Sequence, residues 1–371
     1  MLPIQQRRAL TLLLCTSCIL VLIGCIFIYS SSSIFALESH GAAHYFVTRQ
    51  LAAAAASFVL MIIIAHIPLS LIQTVTPWGF AFSLLVMSIP FTLPSHARIV
   101  HGSARWITIM GTSLQPIEFT RVIFILMLAF IMAKPTFAHQ SFWRSIASIA
   151  TVTGPLVVLL LLQPDFGQAF LCTVTALLMF TMIQQDLKHM VTLLGFGLCG
   201  TILLVIMKPY RLRRFLTFLH PWKDPQGAGF QIIQSLIAIG SGGITGIGIG
   251  QSRQKFFYLP MQHTDFIFSI IAEETGLWGT CLLIILYAII LYCGVYLSWH
   301  ASNPFAQLAI FGHTTCLSLQ AIINLAVATG LAPTKGIGLP FVSYGMSSLI
   351  AHGCMLGIII ACVRNTTTSN S

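Results

Sequence analysis

The chain reads as a series of long apolar stretches divided by polar turns, at 9–30, 50–73, 77–94, 117–134, 145–162, 166–184, 189–208, 266–298, 305–328 and 345–363. Most run for about 18–22 residues without interruption, the length a helix needs to cross a hydrocarbon layer of ~30 Å. A chain surrounded by lipid must pair every backbone donor and acceptor within its own segment or in a closed barrel. A barrel would show short alternating strands of about 10 residues, whereas these stretches are continuously apolar. The pattern predicts an all-α, polytopic membrane protein of about ten transmembrane helices, the eighth longer than the bilayer. No repeat or linker divides residues 1–371, which read as one domain whose dominant loop, 209–265, joins the seventh and eighth spans.

Composition agrees with the pattern. Hydrophobic residues make up 57% of the 371 positions, charged residues 7%, and the mean hydropathy is +0.91. A soluble domain would carry roughly a quarter of its residues charged. All ten cysteines fall inside apolar stretches, not in the loops where a disulfide or zinc framework would place them. Cys15 and Cys18 have CxxC spacing but sit mid-span with no second pair, which disfavours a redox or metal role. Arg7 and Arg8 precede an apolar run with no small-residue cleavage site after it, which predicts a retained first helix.

An even number of spans puts both termini on one side. With both cytoplasmic, twelve of the eighteen Lys and Arg residues face outward, seven of them in or beside the long loop. That distribution opposes the positive-inside tendency, which is weakest for long loops. An outward cluster of cations suits an anion such as pyrophosphate; a basic loop resting on acidic lipid is the plainer alternative.

Only eight carboxylates are present, and a charge in the bilayer core costs from ~3 to ~10 kcal/mol. Those at span ends are therefore the candidates for chemistry. Asp165 follows Gln163-Pro164 at a helix break, and Glu118 follows Gln115-Pro116 close to Arg105, Trp106 and Arg121. Asp265 follows His263 and Thr264 where the long loop re-enters the membrane, with Glu273 and Glu274 about two turns further on. On one continuous helix 265 and 273 would share a face. An aspartate in a first turn can also be a simple helix cap. His66, His313 and His352 read as packed core or helix-contact groups, not as ligands. The segment GSGGITGIGIG at 240–250 lacks the strand and GK[ST] of a nucleotide cradle. It predicts a re-entrant or interfacial element whose small residues let backbone approach a ligand or a neighbouring helix.

Four blocks carry a specific resemblance: GSARWITIMGTSLQPIEFTR at 102–121, LLQPDFGQAF at 161–170, GAGFQIIQSLIAIGSGGITGIGIGQSRQKFFYLPMQHTDFIFSIIAEETGLWG at 227–279, and PTKGIGLPFVSYGMSS at 333–348. In this order they identify the chain as similar to the SEDS family (shape, elongation, division and sporulation) of peptidoglycan glycosyltransferases over nearly its whole length. The Pro-Thr-Lys-Gly ahead of Ser-Tyr-Gly resembles the FtsW division branch more than the RodA elongation branch. Three positions depart from the family pattern: Ile117 where serine is common, Met261 in place of a glutamate, and Met346 in place of the second glycine of a Ser-Tyr-Gly-Gly turn.

The resemblance implies a lipid II substrate, a disaccharide-peptide on undecaprenyl pyrophosphate, polymerised at the outer face of the bacterial cytoplasmic membrane during septal synthesis. It makes Asp265 the catalytic carboxylate and matches Glu118 and Asp165 to two further family motifs. Arg105, Arg121, Arg214 and Lys255 are candidate phosphate contacts, since cationic side chains suit phosphate oxygens; Trp106, His263, Thr264 and Ser343 complete the expected substrate surface. Mg2+ could share the phosphate charge, although the sequence shows no dedicated cage for it. The implied partners are a class B penicillin-binding transpeptidase, other divisome membrane proteins and membrane lipid; no nucleic-acid signal is present. A flippase for the same lipid and a non-catalytic scaffold are the competing classes.

Overall fold

The computed structural model describes residues 3–92, 97–100, 103–109, 112–183, 191–192, 195, 197, 200, 209–227, 229–255 and 262–365. Its helices are α1 (Ile4–His40), α2 (Tyr45–Ala65), α3 (Leu69–Thr92), α4 (Pro116–Met132), α5 (Pro135–Ala138), α6 (Phe142–Leu162), α7 (Phe166–Thr181), α8 (Pro209–Leu219), α9 (Phe230–Gly242), α10 (Ile267–Trp299), α11 (Pro304–Ala328) and α12 (Met346–Asn365). Seven of them are long and apolar enough to cross a membrane: α1, α2, α3, α6, α10, α11 and α12. The expected fourth and sixth spans are the shorter helices α4 and α7, of 17 and 16 residues. Most of the expected seventh span, 189–208, lies outside the described residues.

Apolar side chains exposed on α1, α2, α3 and α10, such as Leu22, Phe58, Trp78 and Ile285, are the surface a lipid solvent requires. The interior is different. α11 and α12 are buried along most of their length, and Phe124, Phe180, Phe305 and Leu128 are fully enclosed between α4, α7, α11 and their neighbours.

Three stretches between α3 and α4, expected as loop, form an antiparallel three-stranded sheet instead: β1 (Ala97–Val100), β2 (Ser103–Ile109) and β3 (Thr112–Leu114), in the order β1-β2-β3. Ala97 pairs with Ile107, and Ile107 in turn with Leu114. The sheet packs over the ends of α3 and α4.

α1 also exceeds its expected span, continuing through the serine run at 30–33 to His40. Ser31 and Ser32 hydroxyls donate to the carbonyl of Ile28, at 3.3 and 2.6 Å, and Ser30 donates to Glu274 at 2.6 Å. Serines that satisfy themselves inside a helix need not end it.

The eighth span is broken, not long and straight. At Gly276 the backbone turns to φ 66°, ψ −156°, dividing α10. The glycine-rich segment after α9 docks on this break by backbone hydrogen bonds: Ile247 N–H donates to Glu273 O (3.0 Å), Gly248 N–H to Glu274 O (3.1 Å) and Leu277 N–H to Gly243 O (3.0 Å). The small residues thus serve approach to a neighbouring helix. Glu273 and Glu274 close the joint. Glu274 accepts from Ser30 and from the Ser252 amide at 3.3 Å; Glu273 accepts from the Ser252 hydroxyl and from the Arg253 amide at 3.2 Å. The shared face expected for 265 and 273 does not exist, because Asp265 precedes the helix, and the two glutamate side chains are taken up by Ser30, Ser252 and Arg253.

A Cβ at Gly276 would overlap the amide of Gly246, whereas one at Gly240 in α9 meets nothing within 4 Å. Gly276→Ala is therefore expected to destabilise the detergent-solubilised protein by at least the ~1–3 kcal/mol of a disfavoured backbone, read as a lowered Tm. Gly240→Ala should leave Tm within a few degrees.

Candidate active site

Two segments of irregular backbone meet at the end of the bundle where α4, α7 and α10 begin. One is the turn 262–266 ahead of α10; the other is 333–345 between α11 and α12. Tyr344 N–H donates to His263 O at 3.0 Å, and Ser343 Oγ donates to Thr264 O at 2.6 Å while accepting from Leu339 N–H at 2.7 Å. Gln50 on α2 secures the other edge, donating to Ser343 O and accepting from Gly345 N–H, both at 3.3 Å. Thr264 and Ser343 therefore hold backbone to backbone.

Asp265 is presented on this joint, half-buried, with its Oδ2 facing Gly336; a Cβ on that glycine would lie 3.5 Å away. Loss of water around the carboxyl pushes its pKa up to about 7. Arg214 opposes that rise, Asp165 adds to it, and Arg105 opposes it more weakly. His263 is packed among Phe46, Phe35 and Tyr344, with ring centroids 4.7–6.0 Å apart. The same desolvation lowers its pKa to about 4, so it is neutral at pH 7.

Arg105 on β2 reaches the α6–α7 turn. Its Nη1 lies 3.3 Å from Asp165 Oδ2, Nε donates to Gln163 O at 3.2 Å, and Nη2 donates to Pro164 O. Asp165 is also the N-cap of α7, accepting from Gln168 N–H at 3.2 Å. Burial raises its carboxyl pKa, against the pull of Arg105 and the Gln168 amide.

Glu118 and Arg121 lie deeper and are closed off. They pair at 2.6 Å with side-chain exposures of 5% and 0%, and Gln168 donates to Glu118 (3.3 Å) while accepting from Arg121 (3.0 Å). Arg121, expected as a phosphate contact, is instead the counter-charge of Glu118 and reaches no surface. Lys255 donates to Gly250 O within its own loop, and Trp106 sits half-buried on β2. Arg214 is exposed and donates to Thr334 O at 3.2 Å, beside the Asp265 joint. Met261 lies outside the described residues. Among the described residues no three His, Cys, Asp or Glu side chains converge as a metal site. His313 and His352 are buried as packing groups, whereas His66 sits exposed at the end of α2.

Lys335 is the residue sequence reasoning passed over. Its ammonium lies over the rings of Phe170 (4.3 Å) and Phe166 (5.0 Å) on the first turn of α7, beside Asp165, and burial lowers its pKa to about 8. Pro-Thr-Lys-Gly marked it by position only, because the aromatic floor comes from a segment some 165 residues away.

The chain matches the family model described as cell cycle protein, covering FtsW, RodA and SpoVE, over residues 10–368. It is 35% identical over 354 residues to stage V sporulation protein E of Bacillus subtilis, covering 94% of this chain and 95% of that one. It is 36% identical over 347 residues to the probable peptidoglycan glycosyltransferase FtsW of Halorhodospira halophila, covering 92% and 87%. A solved chain from a peptidoglycan synthase complex that coordinates polymerization and crosslinking superposes with a TM-score of 0.79 at 29% identity, covering 95% and 97%. RodA of Thermus thermophilus shares the fold, with a TM-score of 0.70 at 24% identity over 95% of each chain. The chain belongs to this family of polytopic membrane proteins, the SEDS family.

The sealed pair yields a stability test. Arg121→Met leaves Glu118 buried without its cation, and breaking such a pair costs about 3–5 kcal/mol. Tm of the purified protein should fall steeply, and Glu118→Gln combined with Arg121→Met should recover part of the loss.

Proposed function

We propose that this chain is a peptidoglycan glycosyltransferase that polymerises lipid II at the outer face of the cytoplasmic membrane, during septal wall synthesis, with both termini cytoplasmic. The observation that carries this reading is Asp265: a half-buried carboxyl with its pKa near 7, at the rim of a lipid-embedded bundle, with cationic side chains beside it. Membership of the family and the glycosyltransferase names of FtsW relatives support the same activity.

In this mechanism Asp265 takes the proton of the acceptor sugar hydroxyl. The hydroxyl oxygen forms a bond to the anomeric carbon of the donor as that carbon's bond to the pyrophosphate oxygen breaks, and the anomeric centre inverts. The departing group leaves as undecaprenyl pyrophosphate, its negative charge met by Arg214, Lys335 and Arg105. The last of these is oriented by Asp165. Glu118 acts from below by fixing Arg121 and Gln168, which also sits on Asp165. The energy of the donor pyrophosphate bond drives the step. Positioned proton transfer contributes about 10²–10⁴-fold. Likeness to a chain from a polymerising and crosslinking complex supports a class B penicillin-binding transpeptidase as partner.

Asp265→Ala is expected to insert and fold but to make no polymer from purified lipid II; near-normal polymer from it would remove this carboxyl from the mechanism. The pH profile is the second test. Below about 7 Asp265 is protonated and cannot act as base, so kcat/KM should climb with pH toward that value. Above about 8 Lys335 loses its charge, so the rate should fall again. Lys335→Arg should flatten the alkaline limb and leave the acid limb in place.

A further inference from the structure

On α11, two amide side chains one turn apart face the irregular segments that carry the site. Gln320 donates from Nε2 to Gly338 O at 2.9 Å. Asn324 donates from Nδ2 to two carbonyls at once, Asp265 O and Ile337 O, each at 2.8 Å. Asn324 is 1% exposed, and its Oδ1 has no partner. Both contacts are to acceptors, so the NH2 group must face them and the amide orientation is fixed.

We infer that Asn324 is the positioning residue of the reaction, holding the backbone of Asp265 against the segment that carries Lys335 and Gly336. The reasoning begins with what Asp265 lacks. It lies ahead of α10, whose first residue is Ile267, so no helical hydrogen-bond ladder fixes its carbonyl. The other ties between the two segments act at His263 and Thr264. Asn324 alone among the described side chains bonds the Asp265 carbonyl and, by the same NH2 group, the residue after Gly336. One rigid helix thus sets the carboxyl relative to the face that supplies a cation, and a shift of ~1 Å between reacting groups can cost about 10²-fold in rate. Gln320 differs in kind, since it restrains Gly338 only.

This inference rests on Asp265 acting as the base, and the experiment separates the two. Lipid II polymerisation is measured across pH for the full-length protein and for Asn324→Ala, Asn324→Asp, Gln320→Ala and Asp265→Ala. Asn324→Ala should lower kcat by up to about 100-fold with KM little changed. Its acid limb should move to lower pH, because a carboxyl freed from its seat gains water. Asn324→Asp keeps the volume and covers the case in which the alanine variant fails to accumulate. As a carboxylate it repels both carbonyls, and once protonated it can donate one of the two bonds, so its deficit should shrink as pH falls. Gln320→Ala should keep the wild-type acid limb. Wild-type kcat and acid limb in both Asn324 variants would overturn the inference, as would a loss of activity that follows Tm with the acid limb unmoved. Activity in Asp265→Ala would instead overturn the mechanism on which it rests.

Discussion

The ion pair of Arg121 with Glu118 sets the terms for this end of the bundle. A cation and an anion enclosed among lipid-facing helices can be kept charged only by each other, and each needs its remaining polar atoms met locally. Gln168 does this for both partners, tying α4 to α7. Its backbone amide also caps on Asp165, and Asp165 meets Arg105. One sealed pair therefore fixes, through a single glutamine, the turn that brings a sheet residue to the helical rim.

That arrangement divides the carboxylates by role. Glu118, Glu273 and Glu274 are buried and engaged with donors from other elements, so they act as joints: one between α4 and α7, two between α1, α10 and the glycine segment. Asp165 is intermediate, buried but held by a half-exposed arginine. Asp265 makes no ion pair among the described residues, and its partners act at its backbone. A carboxyl whose main chain is tied while its side chain is left toward a small residue is suited to exchange a proton. The joints are suited to hold shape.

Much of this was legible in the chain itself. Uninterrupted apolar runs located most helices, because lipid selects for internally bonded backbone more strongly than any local propensity does. The four motif blocks drew attention to Asp265, Asp165 and Glu118. What escaped was whatever depends on a distant partner. Arg121 looked like its neighbours until Glu118 and Gln168 enclosed it. Ser30 looked like a helix end until Glu274 took its hydroxyl. Gly276 lay inside an apolar run, and only the docking of Gly246 on that point gives its positive φ a purpose. The sheet between α3 and α4 was hidden by short strands among loop-like residues. Lys335 needed an aromatic floor from α7.

The same logic accounts for irregular backbone at the chemical rim. Segments 262–266 and 333–345 leave carbonyls and amides that no helix or sheet satisfies, and a bundle in lipid has little water to offer them. Gln50, Gln320, Asn324 and Ser343 provide the missing donors and acceptors. Because the three amides come from α2 and α11, while Ser343 ties one loop to the other, the loops inherit the rigidity of the bundle. A loop allows Asp265 to stand at an edge that a helix face could not offer, and the side-chain amides remove the mobility that a loop would otherwise bring.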